Sequence, residues 1–235
     1  MWKYLGRLLG AVGVTAFLGM ASVLAAPPNL APEFASLPKG ATVTVMQPDI
    51  ELFSISAGGV TEPRADWTEA ALKYVQKAVA GKMAGQGLAW RSLSEREAED
   101  LDEVNGLHAA VARSIALHHM MGGSLALPTK DGKLDWSLGD AVAPLRQKSG
   151  SDYALFIWMR DSYASTERKV AMIAMALLGV GVAGGAQIGY ASLVDLRTGR
   201  VLWFNQLMRG TGDLREEEPA GETVTSLMNN FPEAK

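Results

Sequence analysis

Two periods of apolar and polar residues alternate along this chain. Ala41-Thr-Val-Thr-Val-Met46 repeats every second residue, which predicts a half-buried strand closed by Gln47-Pro48, and Ile50 to Ile55 predicts a second, short strand. Ser56 to Arg64, with Gly58-Gly59 and Pro63, reads as a loop. Asp66 followed by Glu69 resembles a capping box, and Trp67, Ala71, Tyr74 and Ala78 then recur at helical spacing, predicting a helix to about Ala84. Gly85 and Gly87 end it, and Leu88 to Leu93 predicts another strand. Ser94 with Glu97 repeats the capping signal. Leu101, Val104, His108, Val111 and Ile115 step by three and four residues, so a second long helix is expected to about Met121, stopped by Gly122-Gly123. Pro128 to Lys133 is turn-rich. Ser137 with Asp140 opens a short helix carrying Leu138, Ala141, Val142 and Leu145, which ends at Ser149-Gly150.

The period then changes again. Tyr153-Ala-Leu-Phe-Ile-Trp-Met159 is an uninterrupted apolar run, the pattern of a central strand covered on both faces. Ile188 to Leu196 and Val201 to Met208 are two further strands. Arg197-Thr-Gly-Arg200 joins them, and Gly199 supplies the positive φ that a tight hairpin requires. After Gly210 the chain is polar until a short helix expected within Thr223 to Asn230. The order strand, helix, strand, helix, helix, strand, hairpin gives an α/β class: a single domain over residues 39–235 with a mixed sheet, two long helices and a C-terminal antiparallel β-hairpin.

One stretch fits neither period. Val170 to Ala186 contains no charged residue, although Glu167, Arg168 and Lys169 stand just before it. As a helix its seventeen residues would rise about 26 Å, short of the roughly 30 Å hydrocarbon core. Gly181 and Gly185 are spaced as a small-xxx-small pair suited to close helix packing. The same stretch also suits local packing in the domain or contact with a partner or membrane as a helix or loop.

The N-terminus changes where this domain must work. Lys3 and Arg7 precede an apolar stretch from Leu8 to Leu24, followed by small residues to Ala26. Residues 1–25 thus read as a signal peptide cleaved after Ala25, with an uncleaved N-terminal anchor as the alternative. Both send the domain out of the cytoplasm, to the periplasm or to a membrane-associated place in the cell envelope. Residues 26–38 are proline-rich and read as an extended linker. The net charge of −3 among 235 residues argues against a nucleic-acid surface. No cysteine is present, which removes disulfides, a thiolate nucleophile, cysteine metal ligation and a lipoprotein acylation site.

The order "SDYALFIWMRDSY", apolar insert, "ASLVDLRTGRVLWFN" resembles the C-terminal half of the curli secretion channel (CsgG) family and envelope proteins with a TolB N-terminal-type domain. Asp152, Val194, Asp195, Thr198, Gly199 and Trp203 carry the pattern. The resemblance implies an α/β fold, an envelope location and, for the insert, hairpins contributed to an oligomeric membrane barrel. Barrel strands need alternating polar positions over about 9–11 residues, and the insert has no such alternation.

Other chemistry is sparse. Gly179, Gly181 and Gly184 spell G-x-G-x-x-G, but a strand and hairpin follow instead of a helix, so no dinucleotide site is expected. His118-His119-Met120-Met121 could attract a soft metal, yet adjacent helical residues diverge by about 100°, and no metal or other cofactor is assigned. His108 is expected as a satisfied core histidine. The acidic run Glu95 to Glu103 favours a helix start. Ser162, Ser165 and Thr166 lack a histidine at any triad-like spacing. The sequence therefore points to a non-catalytic exported envelope protein that assists assembly or secretion through protein–protein contacts, with membrane contact through residues 170–186 as a further option. Other envelope proteins, or copies of itself, are the expected partners. Leu177, Leu178, Gly181 and Gly185 of the insert, with Trp203 and Phe204 as contact or core residues, are the candidate interaction positions. The competing reading is an exported hydrolase or metal-handling protein whose site is assembled from distant residues.

Overall fold

The computed structural model describes residues 29–235. The expected leader, its cleavage point after Ala25 and the first residues of the proline-rich segment lie outside the described residues.

A mixed sheet of seven strands is built around β5 (Tyr153–Ala164), whose first seven residues are the apolar run. β1 (Thr42–Val45) and β2 (Asp49–Ile55) are successive pieces along one side of it, both parallel. The register advances from Val45 opposite Leu155 to Asp49 opposite Trp158, so three residues of the outer chain face two of β5. Pro48 in that step has no N–H to give to a ladder. β4 (Ala89–Ser92) extends the sheet beyond β1, in parallel. On the other side of β5, β6 (Gln187–Asp195) and β7 (Val201–Arg209) pair antiparallel as the predicted hairpin, with Gly199 at φ 71°. A Cβ at Gly199 would also lie 2.3 Å from the Gly139 carbonyl oxygen, so close approach adds to the conformational requirement there.

Helices cover both faces. α1 (Ala65–Ala84) buries Ala71, Val75, Val79 and Met83 against Val43, Leu155, Ile157 and Leu193, and α6 (Glu217–Leu227) packs beside it. The opposite face carries α2 (Glu95–Glu99), α3 (Asp102–Ile115) and α4 (Ala143–Ser149), over Ala154, Phe156, Val194 and Phe204. Alternation along β5 and β7 thus sends neighbours to different layers, and Trp203 and Phe204 end in opposite cores.

The structure departs from expectation in five places. The last helix begins at Glu217, ahead of the expected Thr223. Thr61–Pro63, expected as loop, forms an edge strand, β3, antiparallel to β2. The second long helix is two: the Ser94–Glu97 capping box forms, but α2 stops at Asp100 and Leu101 drops into the core before α3 begins. No capping box forms at Asp66, whose carboxylate instead receives the Arg64 guanidinium at 2.8 and 3.1 Å. Residues 29–38 lie on the domain: Ala31 N–H donates to the Leu202 carbonyl, the Phe204 N–H donates to the Asn29 carbonyl, and Ala31 and Leu37 are buried.

Candidate interaction surface

α5 (Thr166–Leu177) stands where β5 ends, at the end of the sheet opposite the Gly199 turn. Ser165 caps it by accepting the Arg168 N–H at 3.2 Å, and an Ala- and Met-rich run of good helix formers carries it on. Gly179, at φ 77°, stops it. The Val180 N–H bonds the Met175 carbonyl and the Gly179 N–H bonds the Ala176 carbonyl, the paired bonds of a Schellman motif. The G-x-G-x-x-G string is accordingly a helix stop followed by an irregular return, with no helix opening after it. Gly181 and Gly185 lie beyond α5, so they form no small-xxx-small helix face; at Gly181 nothing comes within 4 Å of a built Cβ.

The root of this excursion is tightly held. The Arg168 guanidinium donates to the Ala183 carbonyl at 2.9 Å and to the Ser56 carbonyl at 3.3 Å, tying the helix start to the return strand and to the β2–β3 loop. Ser162 Oγ receives the Ala186 N–H at 2.9 Å. Beneath lies a buried polar network that no local sequence pattern announced. Asp161 Oδ2 accepts from Tyr163 O–H and from Gln187 Nε2, each at 2.5 Å, while Oδ1 accepts the Ser162 N–H at 2.8 Å. Tyr163 in turn accepts the Leu214 N–H at 2.7 Å, and Gln187 Oε1 accepts from Arg209 Nε at 2.8 Å and from Thr223 Oγ at 3.1 Å. Burial raises the Asp161 carboxyl above its usual range and, with the neighbouring carboxylate, raises the Tyr163 phenol. A shallow cavity of about 260 Å³ opens above the network, between Lys169, Met172, Gly185, Gly212 and Arg215.

The outward surface of α5 is different. Val170, Ile173, Leu177 and Leu178 are 64, 65, 84 and 76% exposed, and α5 has no buried residue. Each such side chain left in water forgoes about 1.5–3 kcal/mol of burial. The insert is therefore not core. Nor is it a pair of extended strands, since its first half is helical. Of the twelve exposed large apolar side chains among the described residues, eight lie at this end of the sheet, Val60 on the β2–β3 loop and Met208 on β7 joining those of the insert. Leu177 and Leu178 thus stand together at the apex, Gly185 is at the root, and Trp203 and Phe204 are fully buried elsewhere. Val170 and Ile173 complete the stripe at spacings of three and four residues. Within an unbroken apolar stretch nothing in the sequence distinguishes these two from their neighbours.

The histidines are occupied structurally. His108 is buried, donates or accepts at Ser192 Oγ over 2.8 Å and stacks on Phe156; burial pushes its pKa down to about 3. His118 Nδ1 donates to the Leu125 carbonyl at 2.8 Å. No group of three potential metal-ligating His, Cys, Asp or Glu side chains converges among the described residues.

No family model matches this chain, and no curated protein matches it. Among solved structures it is similar to the PelC dodecamer from Paraburkholderia phytofirmans, at 12% identity over 86% of this chain and 94% of that one, with a TM-score of 0.41. It is also similar to the LpoB C-terminal domain from Salmonella enterica, at 12% identity over 76% and 87%, TM-score 0.31. Lipoprotein GNA1162 from Neisseria meningitidis aligns at 15% identity over 81% and 97%, TM-score 0.33. These scores do not establish a common fold, so function has to be read from the chain's own side chains.

Proposed function

We propose that this chain is a non-catalytic, exported component of the cell envelope, of the kind its resemblance to the curli secretion channel group implies. It assists assembly or secretion by making contacts, and the α5 end of the sheet is its contact surface. The observation that carries this is the outward face of α5: three large apolar side chains, with Leu178 at the C-cap as a fourth, all more than half exposed on a helix whose root is fixed by Arg168, Ser162 and the Asp161 network. A rigidly presented apolar face with nothing over it is the usual mark of an interaction site. Export is supported by Lys3, Arg7 and the apolar run Leu8 to Leu24. With no cysteine to acylate, any attachment to a membrane uses something other than a lipid on cysteine.

The test is Ile173→Glu combined with Leu177→Glu in the cell that makes the protein. Circular dichroism and melting are expected to be unchanged, because neither side chain packs in a core. Co-fractionation with the envelope, and any large assembly seen by size-exclusion chromatography with light scattering, should be lost. A double variant that keeps every association removes the reading.

A further inference from the structure

The cavity at the root of α5 is walled largely by backbone. Gln187, where β6 begins, pairs with Arg209, where β7 ends, so the segments just outside the sheet, Gly184-Gly185 and Gly210-Thr211-Gly212, come face to face. A Cβ built on Gly210 would lie 4.0 Å from the Gly185 carbonyl oxygen. Gly212, at φ 103°, also leaves room for the Arg209 guanidinium, which a Cβ there would meet at 2.6 Å. Among the described residues the N–H groups of Gly184, Gly185, Thr211 and Gly212 have no acceptor in the chain. Free backbone donors thus border a single hollow of about 260 Å³ from two sides.

Most charges around this hollow are already occupied. Arg215 is held bidentate by Asp213, at 2.8 and 2.5 Å, and lies over the rings of Tyr163 and Trp67, 3.9 and 4.6 Å from their centroids. Arg209 donates to Gln187 and Thr223. Asp161, in the floor, receives three donors. Lys169 is left: it is exposed in the first turns of α5, and among the described residues its ammonium has no partner. Both carboxylates at the hollow are therefore satisfied while one cation and several N–H groups are not, so the unmet demand is for negative charge.

The geometry points to this hollow as a binding site for a small phosphate, free or as a monoester, with Lys169 as its countercharge and the glycine-turn N–H groups as its donors. A point-like ammonium and backbone donors arriving from two sides suit a tetrahedral oxyanion. The planar fork that favours a carboxylate needs a free guanidinium, and that of Arg215 is taken by Asp213. A phosphate bound here joins Lys169 of α5 to the loop ahead of α6, which gives a ligand a hold on the root of the contact face. The assignment itself does not depend on that face binding anything.

The glycines themselves report on the site. The full 235-residue chain, labelled with nitrogen-15 at its 25 glycines and kept in a non-ionic detergent, is titrated at constant ionic strength with inorganic phosphate and, separately, with glycerol 3-phosphate. The amides of Gly184, Gly185 and Gly212 are expected to shift to saturation, while that of Gly40, at the opposite end of the sheet, stays in place. Lys169→Gln, at an exposed position without a partner, should leave the rest of the spectrum unchanged and weaken binding about tenfold. Lys39→Gln, an equal loss of charge at the far end, should bind as the wild type does. Saturation by both ligands supports recognition of the oxyanion itself, and saturation by glycerol 3-phosphate alone supports a monoester as the occupant. Shifts that never saturate, that sodium chloride reproduces, or that Lys169→Gln leaves unaltered overturn the site.

Discussion

The backbone of Gly185 lies so close to Ser162 that a Cβ built on it would sit 1.9 Å from the Ser162 carbonyl oxygen. That contact seats the end of the insert on β5, where Ser162 also holds Ala186 through its hydroxyl. Gly185→Ala must displace backbone, not a flexible side chain. A loss of about 1–3 kcal/mol is expected from overpacking, read as an earlier urea midpoint. Gly181→Ala, with open space around it, should be neutral. Equal effects at the two positions would show that the glycines act as a pair after all.

Much of the fold was legible because backbone chemistry and burial agree locally. The run Tyr153 to Met159 could only be a strand covered twice, Gly199 fixed the hairpin, and Ser94 with Glu97 formed the capping box their spacing demands. What failed was decided by partners distant in sequence. Thr61-Glu-Pro63 has no apolar pattern and is a strand only because Phe53 to Ile55 lies alongside. The break at Leu101 is invisible in a helical repeat that runs straight through it. The proline-rich segment reads as a tether until β7 offers its edge. At the site, composition marked the insert as apolar but not which side of α5 would be bare. The network beneath it draws on positions 161, 163, 187, 209, 214 and 223, which no spacing rule connects.

His108 makes stability fall in acid. Its pKa is held near 3 by burial, against 6.5 when free, so between these values the unfolded chain binds a proton that the folded chain does not. The contribution is fully present above pH 6.5 and is lost as pH falls toward 3, with a slope of at most about 1.4 kcal/mol per pH unit. Urea unfolding from pH 7 to pH 4.5 should show the wild type losing more stability than His108→Gln. Parallel curves for the two proteins would place the buried imidazole outside this linkage.

Asp161 works in the opposite sense. Burial raises its folded pKa, so its charged form is costly at neutral pH and that cost is relieved as pH falls through the raised value. What keeps it in place is geometry: three donors converge on its two oxygens. Asp161→Asn turns one acceptor into a donor facing other donors, and a loss of about 1–3 kcal/mol is expected. Tyr163→Phe removes only the hydroxyl that bridges Asp161 and the Leu214 N–H, so it should cost less. Hydrogen exchange offers a local readout, with the Leu214 amide losing protection in Tyr163→Phe while amides in α3 keep theirs.

Trp203 tests whether the final hairpin is contact or core. Its ring is fully buried, lies edge-on to Phe231 at 5.3 Å between centroids, and leaves its indole N–H without a partner among the described residues. What it contributes is therefore volume, not a hydrogen bond. Trp203→Ala should cost about 3–5 kcal/mol, whereas Trp203→Phe keeps much of the packing and forfeits no bond. In the envelope, Trp203→Phe should associate like the wild type, in contrast to the Ile173→Glu and Leu177→Glu pair. Weakened association in a Trp203→Phe chain that still melts at the wild-type temperature would mean that β7 opens to a partner, and the α5 face would then not be the sole surface at work.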